Sequence, residues 1–129
     1  MRKRISLFLV LVVMMAMVVS CGTFIKNTYV ALSISKPAYD RAMTSVADLQ
    51  KQGLVTVQQR EEINKVAKIF KEAHNTLVDA LEVYARTGLA GDKEKVLTAM
   101  TSAASKWAQV AKLINAIKPG TVNVTFGKE

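Results

Sequence analysis

Residues 56–88 read TVQQREEINKVAKIFKEAHNTLVDALEVYARTG, and this stretch decides the fold. Along it the apolar residues Ile63, Val66, Ala67, Phe70, Ala73, Leu77, Ala80, Leu81 and Tyr84 recur three and four apart. That is the period of one face of an α-helix. Thr56-Val57-Gln58-Gln59 has the form of a capping box, in which the Thr56 hydroxyl takes the Gln59 N–H and the Gln59 side chain reaches back to Thr56. Glu61 and Glu62 then sit near the positive end of the helix dipole. Glu61 with Lys65, and Glu82 with Arg86, stand four apart in the favourable order. Gly88 supplies a stop. The spacing predicts a helix over 57–87 with one apolar face that must be covered.

Towards the C-terminus, Gly88 to Gly91 make a tight connection and Asp92 is the expected cap of a helix over 92–118. Its buried stripe is Val96, Met100, Ala103, Trp107, Val110, Ile114 and Ile117, with Leu97, Ala104 and Ala111 beside it. Pro119-Gly120 ends it. Towards the N-terminus, Ile25, Leu32, Tyr39 and Val46 lie seven apart, and Tyr29, Ala42, Met43 and Leu49 fill the neighbouring positions. This predicts a helix over 24–52 stopping at Gly53. Pro37 stands inside it, where proline costs on the order of 3 kcal/mol. It could instead start a shorter helix capped by Ser35. The register passes through Pro37 without a phase shift, which favours one long, kinked helix.

Three helices joined by short loops imply an all-α, antiparallel three-helix bundle. Lengths of roughly 28, 31 and 26 residues give rods of about 40 to 46 Å, which match. The remainder, Thr121-Val122-Asn123-Val124-Thr125-Phe126, alternates polar and apolar as a strand does, yet has no partner strand. Two readings stay open for 121–129. The segment folds back over the end of the bundle to cover Leu54 and Val55, or it stands some 40 Å from the chain's start and adds to a partner's sheet edge.

The start of the chain is of another kind. Arg2, Lys3 and Arg4 precede an apolar run from Ile5 to Val19, broken only by Ser6, which ends in Val18-Val19-Ser20-Cys21-Gly22. A basic stretch, about 7 to 15 apolar residues and a small residue at the cut mark an export signal. The run is shorter than the ~20 residues of a membrane span. Residues 1–22 resemble the signal sequence of a bacterial lipoprotein precursor, whose lipobox sets an aliphatic residue three places before a Cys and a small residue just before it. Val18, Ser20 and Cys21 fit. The resemblance implies cleavage between Ser20 and Cys21, a diacylglyceryl group on the Cys21 thiol and no other cofactor. It divides the chain into a signal over 1–20 and a lipid-anchored helical domain over 21–129. The absence of Asp after the Cys implies the outer membrane where the organism has one. The region after Cys21 resembles small helical lipoproteins of uncharacterised role in bacteria and their prophages. The alternative is an uncleaved single span, since Phe24 and Ile25 extend the apolar run.

Formal charge is +8, and +5 without the three basic residues of the signal. Cys21 is the single cysteine, so stability has to come from the core and not from a disulfide. His74, the single histidine, falls at the edge of the inner face of the middle helix and cannot by itself make a metal site of three or four ligands. Glu61 and Glu62 are successive helix residues that do not face each other. Ser102 and Ser105 have no base nearby in sequence, and no glycine-rich loop is present to cradle phosphate. The sequence predicts no enzyme and no nucleic-acid partner. Lys26, Arg86, Lys93 and Lys95 belong to helix ends that the topology sets on the anchored side, a candidate membrane-proximal basic collar against ordinary solubilising charge. The expectation is a non-enzymatic structural or protein-interaction module of the cell envelope, periplasmic or surface-facing, with an envelope protein or cell-wall partner. A module holding a small apolar ligand is the alternative, disfavoured by the Ala-rich third helix.

Overall fold

A computed structural model describes the backbone of residues 2–128 and the side chains of residues 22–128. The chain is an all-α three-helix bundle: α1 is Arg2–Lys51, α2 Val57–Thr87 and α3 Ala90–Ile117, with no strand among the described residues. α1 is longer than the expected 24–52, because no proline or turn sequence separates the N-terminal apolar run from the amphipathic stretch after it.

Pro37 lies inside α1. The ring removes the N–H that would bond the Ser33 carbonyl, and both Pro37 and Ser33 are exposed. Water can therefore take that carbonyl, and the helix continues. The buried stripe of α1 is Thr28, Leu32, Ser35, Ala42, Val46 and Leu49, with Ile25, Tyr39 and Met43 half-buried. Tyr29, expected inside, is 48% exposed. Thr28 and Ser35 take core positions that the apolar pattern does not mark. Their hydroxyls donate back into their own helix, to the carbonyls of Phe24 and Leu32, both at 2.9 Å. With the donor satisfied, a small hydroxyl side chain is buried without leaving an unpaired polar group.

α2 has the expected bounds. The Gln59 N–H donates to Thr56 Oγ1 at 3.1 Å and the Thr56 N–H to Gln59 Oε1 at 2.9 Å, so both arms of the capping box are made. Gly88 closes the helix in the left-handed region, φ 62°, its N–H on the Tyr84 carbonyl at 2.8 Å.

α3 departs from expectation at its start. It begins at Ala90, and the residue in the cap position, Leu89, gives no side-chain bond. Asp92 lies in the first turn, where its carboxylate accepts from the Thr87 hydroxyl at 2.5 Å. It stitches the Gly88-Leu89 joint from the far side and does not cap the helix. Val96, Ala99, Ala103, Trp107, Val110, Ala111 and Ile114 are buried; Met100 and Ile117 are half-buried, and Leu97 is 40% exposed.

α2 and α3 pack most closely, as the alanines on α3 permit. The core forms two adjoining clusters. One surrounds Phe70 and includes Val46, Trp107 and Ile114; the other surrounds Leu77, Leu81, Tyr84 and Val96. Phe126 touches both.

Of the two readings of the last segment, the structure has the fold-back, over a different surface from the one expected. It is not a strand. It does fold back, but Leu54 stays 53% exposed. Gly120, at φ 78°, turns the chain after α3, and the segment returns along the bundle until Gly127 rests against Ala31 of α1. A Cβ on Gly127 would stand 2.9 Å from that of Ala31, a closer approach than side chains make. The segment therefore does not mark the far end of the molecule.

Candidate functional site

The lipidation and cleavage residues Cys21 and Ser20 lie outside the residues whose side chains are described. Among the described side chains, contacts across the bundle are made from Phe24 onward. The Phe24 ring meets Tyr84 edge-on, centroids 5.8 Å apart, and the Lys93 ammonium stands 4.9 Å from the centre of the Phe24 ring. These contacts join the Phe24 turn of α1 to the end of α2 and the start of α3. Lys26, Arg86, Lys93 and Lys95 thus share one end of the bundle. The end is not purely basic. Asp92 approaches Lys95 at 3.9 Å, and Glu94 stands between the two lysines in sequence. Lys26 and Arg86 are exposed there, as is Leu89 at 62%.

His74 is half-buried, as its place at the edge of the stripe implies, and it has a partner that the sequence does not reveal. Its Nε2 lies 2.9 Å from the Ser35 hydroxyl. Because that hydroxyl donates to the Leu32 carbonyl, the ring nitrogen is assigned as the donor and Ser35 as the acceptor. Burial, and then the nearby Lys36 charge, push the His74 pKa below 6.5. A buried serine whose proton is committed to its own backbone is no nucleophile, so the pair clamps α1 to α2. No group of three or more His, Cys, Asp or Glu side chains suited to a metal occurs among the described residues.

Beside the clamp is an open cleft of about 350 Å³ between α1 and α2, walled by Lys36, Tyr39, Phe70 and Lys71. Tyr39 stacks on Phe70 at 5.7 Å and 22°, and the Lys71 ammonium is 5.9 Å from the Tyr39 ring. Burial, then the Asp40 charge, raise the Tyr39 pKa above 10.0. The cleft carries aromatic surface and the mixed charge of Lys36, Asp40 and Lys71, with His74 on its wall.

Among the described residues, a dense set of side-chain-to-backbone bonds lies elsewhere, between α1 and α3. There the Asn115 side chain bonds one residue of the returning segment twice: its Nδ2 donates to the Val122 carbonyl at 2.8 Å, and its Oδ1 accepts the Val122 N–H at 2.9 Å. The Trp107 indole N–H donates to the Asn123 carbonyl at 2.9 Å. The Phe126 ring lies 6.2 Å from Phe70. An amide and an indole that bond backbone groups of an irregular segment, followed by an aromatic socket, are the parts of a peptide-binding groove. Trp107 belongs to the core, as its place in the α3 stripe implies, but nothing in the sequence signals that its polar edge has a separate task. No protein-family model, curated protein or solved structure matches the chain.

Proposed function

We propose that the protein is a non-enzymatic lipoprotein of the cell envelope, anchored through Cys21 and acting as a structural or protein-interaction module. The observation that carries this reading is the run Val18-Val19-Ser20-Cys21-Gly22 behind a basic stretch and an apolar segment of signal length. The contacts of Phe24 fit it. Phe24 already contacts Tyr84, three residues after the anchor site, so an anchored bundle would stand directly on the bilayer with no tether. Its basic end would then meet the headgroups through Lys26 and Arg86. Among the described residues these are the two cations of that end without an aromatic or acidic contact of the kind Lys93 and Lys95 make. Two or more acyl chains hold a protein stably at a membrane where one does not. Gly22 after the Cys favours the outer membrane in a diderm organism.

The intact mass of protein extracted from membranes tests the anchor. Loss of residues 1–20 and a gain of diacylglyceryl and acyl mass on Cys21 is the expected result, and Cys21→Ala should abolish both. A chain that keeps residues 1–20 with an unmodified thiol refutes the anchor and leaves a single-span protein in its place.

A further inference from the structure

We infer that the groove between α1 and α3 is a peptide-binding site for residues 121–128 of a second copy of this chain, so that neighbouring copies exchange these segments as arms. This gives the interaction role proposed above a partner; the groove chemistry itself does not depend on the anchor.

What the groove grips supports this first. Asn115 holds the backbone N–H and C=O of Val122, and Trp107 holds the backbone C=O of Asn123. These bonds are indifferent to which chain supplies the segment. Phe126 provides the side-chain anchor, in contact with both core clusters. Gly127 sets the fit at the end, since no larger residue could approach Ala31 so closely.

The second support is the joint. Lys118 is already extended, at φ −138° and ψ 105°, and Pro119 and Gly120 are exposed. Gly120 holds the turn at φ 78°, and rotation at this one residue redirects everything after it. The third is the segment's own structure. It has no helix or strand, and its internal bonding is local, as in the Thr125 N–H to Asn123 Oδ1 bond at 3.0 Å. Leaving the groove breaks no regular structure within it. An emptied groove, in contrast, uncovers the polar edge of Trp107 and the Phe70 side of the core. Exchange keeps every groove filled, whereas simple release does not. Swapping an identical element between copies is a low-cost route to a dimer. Where both chains are anchored in one leaflet they stand parallel, as a two-fold exchange about an axis along the bundles requires.

A segment joined to α3 through three residues, Lys118 to Gly120, competes strongly for its own groove, at an effective concentration in the millimolar range. The test therefore disables that competition. Two full-chain variants are prepared in detergent. One lacks residues 121–129 and keeps the groove; the other keeps the segment and carries Asn115→Ala with Trp107→Phe. Each alone should be a monomer by light scattering, and the mixture should form a one-to-one heterodimer. Absence of the heterodimer overturns the inference, and so does a dimer of the truncated variant alone, which would place the contact elsewhere. A second measurement leaves the groove untouched. Full chains bearing two different tags are co-expressed with benzoylphenylalanine in place of Phe126 and illuminated in membranes. A crosslink between differently tagged copies is expected, and crosslinks confined to single chains overturn the exchange. Loss of the Cys21 modification alone would leave the detergent result standing, so the two failures can be told apart.

Discussion

Phe70→Ala should be the most damaging single truncation in the bundle. The side chain is 2% exposed. Its ring has aromatic neighbours on every element around it: Tyr39 of α1 at 5.7 Å, Trp107 of α3 at 5.2 Å, and Phe126 of the returning segment at 6.2 Å. His74, one turn on, lies at 5.8 Å. Truncating a buried Phe typically destabilises by about 3–5 kcal/mol, and the value rises as the site fails to collapse. Here collapse is resisted, because the walls are large flat rings on three separate elements, held by bonds of their own such as the Trp107 indole to Asn123. The upper part of that range is therefore expected, about 4–5 kcal/mol. A domain of this size has about 5–15 kcal/mol in all, so the variant would lie near the edge of folding. Phe70→Leu keeps most of the volume and should lose roughly 1–2 kcal/mol. Urea titration followed by far-ultraviolet circular dichroism gives both values. The emission of Trp107, the single tryptophan, reports the same site independently. A loss below about 1.5 kcal/mol for Phe70→Ala, with Trp107 emission unchanged, would refute the idea that this ring cluster is what joins the three helices.

Thr56→Ala removes one arm of the capping box and should lower stability by about 1 kcal/mol in the same titration, with no change in the core signal. Deleting residues 121–129 should lower it by about 2 kcal/mol, since three backbone-directed bonds and the Phe126 contact go together; an unchanged melting temperature would mean that the segment adds nothing to the fold. The His74 pKa is lowered in the folded state, so the unfolded chain binds more protons in the window between that lowered value and 6.5. Stability should therefore rise with pH through this window and fall on acidification. His74→Gln should flatten that slope, and an identical slope in both proteins would show that another group carries it.

The middle helix is legible in the sequence because its signals are local. Thr56 and Gln59 bond across one turn, Gly88 stops the chain where it stands, and the stripe from Ile63 to Tyr84 repeats at the helical period. The three-helix architecture comes from matching stripes. The features that stay hidden depend on partners distant in sequence or on single hydroxyls. Thr28 and Ser35 count as polar in any periodicity, yet each folds its proton back onto its own helix and enters the core, which turns the face of α1 away from Tyr29. Asp92 has the look of a cap, but Thr87 reaches it first and holds it from across the joint. Ser35 and His74 meet over 39 positions, and no spacing rule reaches that far. The course of the last segment is decided by the direction of the Asn115 amide and of one indole N–H, and directions are absent from a string of residue types. The alternation of Val122, Val124 and Phe126 suggests a strand, yet bends at Val122 and Thr125 and a turn at Phe126 break that period and leave Val124 exposed.

The unequal packing of the three helices also orders events in time. α2 and α3 are joined by Gly88 and Leu89 alone and make the closest contacts, so little loop entropy opposes their meeting. The face that α1 brings to them carries two hydroxyl side chains, Thr28 and Ser35, where aliphatic ones would bind more strongly. A hairpin of neighbouring helices with low contact order forms early, and the weaker seam is the one that opens first in partial unfolding. The chain is therefore expected to fold against its own direction, with α1, the helix made first, docking last onto a nucleus built from its two successors.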